Sequence, residues 1–297
     1  MFKILLSIFV LVPTLAQAAA LPMLTPIRVA PAVNTVVDNR TALLRLLDHP
    51  DPQVQINALR SLRYYVGQTE AARRKVLWVL EDSRRSRAVR YQAIKTLGWA
   101  ANYPDVQRKL TYYADHPNTA PDFKALHMKA LYTRAAGDPR IQNFLMRRLA
   151  TERNPVALSG AIWALGEASH YPNVAAALMR TAQFGSSPAI REAAVRSLYR
   201  GIGRPEVRAF VDRAVRGTVG LPIEARLSAV RLSGAIAGTH QALARLAANP
   251  RSVDPRLSDK DAKAMSAAAA QALAGNRQET FVYFHRAFPG YDPLDAE

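Results

Sequence analysis

The sequence predicts an all-α fold, a right-handed α-solenoid of about seven helical hairpins, and three observations carry that prediction. Pro52, Pro121, Pro155, Pro188 and Pro222 stand at gaps of 69, 34, 33 and 34 residues, the first gap being two periods with one rung missing. Pro104, Pro139, Pro172 and Pro205 form a second ladder, in step with the first, at gaps of 35, 33 and 33. The segments behind these prolines carry apolar residues at helical spacing. Proline suits the first helical position because its missing N–H has no partner there and its φ is already helical. A period near 34 is the length of one helical hairpin, which buries its apolar face only by stacking on its neighbours.

In chain order, Lys3, the apolar run Ile4 to Val12 and the Ala16-Gln17-Ala18 triplet read as a cleavable export signal over residues 1–18. About nine apolar residues make roughly 14 Å of helix, well short of the ~30 Å hydrocarbon core, so the run is too short to be a membrane anchor. Residues 19–38 hold Pro22, Pro26 and Pro31 without helical periodicity and read as an extended leader. The solenoid is expected over 39–275. Its hairpins are 39–47 with 52–66, 69–80 with 86–101, 104–113 with 121–136, 139–150 with 155–169, 172–183 with 188–202, 205–215 with 222–237, and a weaker 239–248 with 259–274. Residues 276–297 carry the aromatic cluster Phe281 to Phe288, either a cap over the last repeat or a docking segment.

Each second helix has a small residue that serves as the pivot of its helical phase: Ala58, Ala93, Ala130, Ala161, Ala194 and Ala229. One residue after the pivot stand Leu59, Ile94, Leu131, Ile162, Val195 and Val230, and four after it stand Leu62, Leu97, Arg134, Leu165, Leu198 and Ser233. At 100° per residue these positions share a face, the expected buried stripe. The third hairpin departs, with Arg134 at a core-like position and about three extra residues after Pro121.

Arg87 to Gly98 and Pro188 to Leu198 resemble HEAT repeats, and more narrowly the short HEAT-like variety of the phycobilin lyases. Asp51-Pro52-Gln53-Val54 and Ala161 to Ala168 extend the likeness over most of 39–275. The resemblance implies a binding scaffold whose second helices line a concave face. An accessory lyase-like subunit is a lesser implication, and fold alone does not choose. It also implies that Arg90, Arg191 and Arg226, three residues before the pivot, brace a preceding turn by donating to helix C-terminal carbonyls or carboxylates.

Two residues after the pivot, about 200° round the helix, lie Arg60, Lys95, Tyr132, Trp163, Arg196 and Arg231, with Arg63, Trp99, Tyr199 and Arg200 beside them. Arginine among aromatic rings is the composition of binding hot spots, so these ten are the expected partner-binding groove. The competing placement rotates Trp99, Trp163 and Tyr199 into the inter-helix core.

The formal charge of +17 is mostly arginine, which suits an acidic partner through its planar fork; the alternative is that many of these arginines are solvated helix faces. There is no cysteine, so disulfides, thiolate metal sites and thiol nucleophiles are excluded. The six histidines form no His-x-x-x-His pair, and the lone Glu167-x-x-His170 falls short of a di-metal set. No phosphate loop, nucleophile elbow or dinucleotide fingerprint is present. The expectation is therefore an exported, periplasmic scaffold without cofactor, metal or catalytic residues, binding an envelope protein or extended acidic segment. The alternative is a binder of a polyanion such as nucleic acid, anionic glycan or lipid phosphate.

Overall fold

A computed structural model describes residues 39–236 and 238–275; the expected signal, leader and C-terminal aromatic segment lie outside them. Among the described residues there is no strand, and the helices form seven consecutive hairpins. These are α1 (Asn39–Leu46) with α2 (Pro52–Leu62), α3 (Glu70–Glu81) with α4 (Arg87–Gly98), and α5 (Pro104–Asp115) with α6 (Pro121–Ala130) and its short continuation α7 (Tyr132–Ala135). There follow α8 (Pro139–Thr151) with α9 (Pro155–Gly166), α10 (Pro172–Phe184) with α11 (Pro188–Arg196), α12 (Pro205–Val215) with α13 (Ile223–Ser233), and α14 (His240–Ala248) with α15 (Asp259–Ala274).

The proline ladders do what their chemistry allows. Pro52, Pro104, Pro121, Pro139, Pro155, Pro172, Pro188 and Pro205 open their helices, and the side chains of Asp51, Asp138, Asn154 and Ser187 cap four of them by accepting a backbone N–H from the first turn. Pro222 is the exception, the cap residue before α13 rather than its first helical residue. The second helices end earlier than the periodicity suggests. Their last turns tighten into i→i−3 bonds, such as Ala168 N–H to Leu165 and Gly201 N–H to Leu198, which turn the chain toward the next proline.

Second helices pack extensively on their neighbours, whereas first helices touch theirs much less and splay apart. Small residues make the close approach possible. A Cβ on Gly160 of α9 would lie 2.4 Å from the Ala125 carbonyl oxygen of α6, and Thr96 of α4 donates its hydroxyl to the Leu59 carbonyl of α2 at 2.9 Å. Between hairpins, Tyr103 donates its hydroxyl to the Gly67 carbonyl, Tyr171 to that of Ala136 (2.7 Å), and Arg204 its guanidinium to that of His170 (3.1 Å). Each strut starts from the residue before a first-helix proline and reaches back one repeat.

Within hairpins, Arg90 Nε donates to the Leu80 carbonyl (2.9 Å), Arg191 Nε to Ala182 (2.8 Å) and Arg226 Nε to Ala214 (3.2 Å). These arginines satisfy carbonyls at first-helix C-termini, as the resemblance implies. In the first hairpin Gln55 braces the inter-helix loop instead, donating to the His49 carbonyl.

The last two hairpins are joined by a buried ion network. Asp254 accepts from Arg226 Nη1 (2.9 Å) and Arg256 Nε (2.9 Å), and Arg256 also donates to the Gly217 carbonyl at 2.7 Å. Gly217 has φ +70°, and a Cβ there would meet the Asp254 carboxylate, so both backbone and space require glycine. The hydrogen bond from Arg256, aided by the backbone N–H of the same residue and the charge of Arg226, holds the Asp254 carboxyl below the usual range against the opposing effect of burial.

The tight helix contact and the ion network each set a measurable stability. Gly160→Ala forces α6 and α9 apart and should cost about 1–3 kcal/mol, seen as a lower urea midpoint with an unchanged m-value. Asp254→Ala leaves Arg226 buried without its carboxylate and should cost about 3–5 kcal/mol, against less for Arg256→Ala at the exposed end of the network. Because the Asp254 pKa is lowered on folding, its contribution is full above the unfolded value near 4 and is lost as pH falls below it.

Candidate partner-binding face

The face opposite the buried stripe is set by the register of the second helices, and the structure fixes that register throughout. Ala58, Ala93, Ala130, Ala161, Ala194 and Ala229 are all buried as expected. In the third hairpin Ala130 is buried, but the residue at the phase of the other pivots is His127. Phe123, Met128 and Leu131 are buried at four before, one after and four after His127, as Val89, Ile94 and Leu97 are around Ala93. Leu131 therefore holds the core place that the sequence pattern assigns to Arg134, and the residue two after the pivot is Lys129, not Tyr132. The corrected row reads Arg60, Lys95, Lys129, Trp163, Arg196 and Arg231.

A histidine at an alanine position has electrostatic consequences. The His127 ring lies in the core, stacked on Tyr113 with centroids 5.3 Å apart, and its Nδ1 is buried without a hydrogen-bond partner. Burial, reinforced by the positive charge of Arg90, pushes its pKa down to about 3, so it stays neutral. Burial and the neighbouring charge of Lys95 likewise push the Lys129 ammonium down to about 8. The two lysines stand on successive rungs of the row, each within electrostatic reach of the other.

The ten sequence-predicted residues divide on inspection. Arg60, Arg63, Lys95, Arg196 and Arg231 are half-buried on the expected face, and Arg200 is exposed. Trp99 is 37 % exposed, and it lines a pocket of about 250 Å³ together with Tyr132 and Arg134. Tyr132, five residues after the true pivot, lies 5.1 Å from the Trp163 ring. Trp163 and Tyr199 do not have the open placement expected of them: at 6 % and 8 % exposed they belong to the core. Tyr199 donates its hydroxyl to Glu167, whose carboxylate also takes Arg200 Nη2 at 3.1 Å. Burial first, then the Glu167 charge, raises the Tyr199 pKa.

Sequence reasoning misses Lys129, which the 34-residue period alone locates once His127 is accepted at an alanine position. It also misses the carboxylates on this face. Glu192 pairs with Arg196 at 3.5 Å and accepts from Ser228 at 3.3 Å, while Glu167 binds Tyr199 and Arg200. Acidic residues thus accompany the cations along α9 and α11. Among the described residues no group of three or more His, Asp or Glu side chains could hold a metal ion, and no helix is long and apolar enough to cross a membrane.

Comparison with known proteins agrees with this geometry. Residues 40–128, spanning α1 to most of α6, match the family model for HEAT repeats, and the later hairpins continue the same period. No curated protein matches. Among solved structures, the chain is similar to human deoxyhypusine hydroxylase in complex with glycerol, at 18 % identity over 79 % of this chain and 84 % of that one, with a TM-score of 0.35. That similarity is too low to carry a functional argument.

The buried histidine makes stability depend on pH in a definite direction. Its folded pKa of about 3 lies below the unfolded value, so its contribution is intact above about pH 6.5 and is lost as pH falls toward 3. In urea unfolding between pH 6 and pH 4, wild type should weaken relative to His127→Ala by about 1.4 kcal/mol per pH unit. A pH-independent difference would show that the ring is charged in the folded state.

Proposed function

We propose that this protein is a HEAT-repeat scaffold that holds a partner protein, through an extended acidic segment, along the outward face of its second helices. The observation that carries the reading is the row two residues after the pivot, where five of six rungs are cationic: Arg60, Lys95, Lys129, Arg196 and Arg231. Second helices pack side by side at about 8–10 Å, so the row spans many residues of extended peptide rather than a small molecule. Lys129 adds a specific reason for an anion. Burial and the charge of Lys95 both disfavour its ammonium, and the charge of a carboxylate bound at this point of the row would offset them.

Trp99 and Tyr132 supply apolar contact at the margin of the row, where Tyr64 also lies, 59 % exposed and 6.4 Å from Trp99. Glu167 and Glu192 make the α9–α11 end less cationic than the α2–α6 end, which favours a segment with its acidic residues grouped toward one end. The reading also includes export to the periplasm, on the strength of residues 1–18. It assigns the face to binding rather than catalysis.

A photo-crosslinking residue at Trp99 should trap one discrete protein in cells, and the same residue at exposed Phe184 at the end of α10 should trap none. Affinity for the trapped partner should fall about tenfold on Lys95→Ala with Lys129→Ala, each lost charge-assisted contact contributing a few-fold. Equal adducts at both sites would refute the assignment of the face. Binding that collapses steeply with salt and transfers to nucleic acid would replace a protein partner with a polyanion. N-terminal sequencing of the mature protein should begin after Ala18, and an intact Met1 would remove export from the reading.

A further inference from the structure

The first helices carry a surface that the second-helix row leaves unused. Because they splay apart, a groove of about 730 Å³ opens between α5 and α8 on the opposite layer from that row. Its floor is apolar, with Ile141 and Phe144 largely buried and the Tyr112 ring 54 % exposed at one wall. Three arginines line it: Arg108 from α5, and Arg140 and Arg147 two turns apart on α8. All three are exposed, and none pairs with a carboxylate among the described residues.

The acids nearby are committed elsewhere. Asp115 stands in the groove wall, half exposed, and its charge is paired with Arg148 Nη1 at 2.7 Å. Asp138 caps α8 by accepting the Arg140 backbone N–H at 3.0 Å, and it also accepts from Gln107 at 3.3 Å. Arg147 rests over the Phe144 ring at 5.7 Å, an apolar contact that leaves its fork available.

We infer that the α5–α8 groove is a second docking site, which takes an acidic peptide segment of a partner protein bearing an aromatic or aliphatic anchor. Unpartnered guanidinium forks match carboxylates bidentately, and the Phe144–Tyr112–Ile141 floor matches a buried apolar side chain. The groove is shallow and open along its length, which suits a few residues of peptide laid across it rather than an enclosed small molecule. A bare polyphosphate would satisfy the arginines but leave the apolar floor uncovered. With the second-helix row on the other layer, the protein becomes an adaptor that engages two chains at once.

The test uses the full chain and fluorescence anisotropy with a fluorescein-labelled peptide of alternating glutamate and phenylalanine; polyglutamate of equal length and inorganic polyphosphate serve as comparison probes. In a full chain already carrying Lys95→Ala with Lys129→Ala, which weakens the second-helix row, the mixed peptide should still bind saturably, about tenfold weaker on adding Arg108→Ala with Arg147→Ala and unchanged on adding Arg213→Ala with Arg245→Ala. All four arginines are exposed, so neither double variant disturbs the core. Equal loss in the two double variants would reduce the effect to net charge and overturn the site. Polyglutamate or polyphosphate binding as tightly as the mixed peptide would overturn the apolar anchor and, with it, the class of partner.

Discussion

The close approach of one second helix to the next is the constraint on which the rest of the array depends. At α6 and α9 the backbones come so near that only hydrogen fits at Gly160, and elsewhere alanines at the pivot leave room for the same approach. A hairpin repeat has no independent core, so this contact and the stripe of Leu, Ile, Val and Met beside it supply most of the burial that offsets chain entropy. Drawing the second helices together also leaves the first helices splayed, and the groove between α5 and α8 is the geometric complement of the tight α6–α9 contact.

Helices packed this way still have to satisfy their ends, and here much of the arginine content finds its use. Arg85, Arg90, Arg191, Arg204, Arg208, Arg226, Arg251 and Arg256 each donate to a backbone carbonyl in a turn or at a helix terminus. A guanidinium on a long stem reaches a carbonyl a repeat away and stays charged, so it closes turns between helices that no local cap could serve. The total of +17 therefore overstates what is presented to a ligand. What matters is the smaller set on defined faces, the row from Arg60 to Arg231 and the three arginines of the α5–α8 groove.

Fold and hairpin boundaries are legible in the sequence because proline acts locally. Its ring fixes φ and its missing N–H suits only a helix start, so a periodic proline is a periodic boundary whatever the tertiary context. The face is less legible because phase comes from packing. The rule that the pivot is small selects Ala130 over His127, whereas the structure keeps the 34-residue period and accommodates the larger ring by stacking it on Tyr113. That three-residue slip exchanges Lys129 for Tyr132 and puts Arg134 in place of Leu131. Trp163 illustrates a different limit: its place on the helix follows from the sequence, yet Tyr132 from the preceding repeat closes over it.

That covering has an implication for how the face discriminates among ligands. With Trp163 packed against Tyr132 and Tyr199 tied to Glu167, the middle of the row presents fewer stacking surfaces than the sequence suggests, and its aromatic contact shifts to Trp99 and Tyr64 at the α2–α4 end. Nucleic acid is held without sequence preference by aromatic platforms repeated along a cationic track, one base after another. A row whose rings cluster at one end, and whose arginines share the other with Glu167 and Glu192, lacks that repetition. The polypeptide partner proposed above would meet that asymmetry with apolar residues against Trp99 and acidic residues near Lys95 and Lys129.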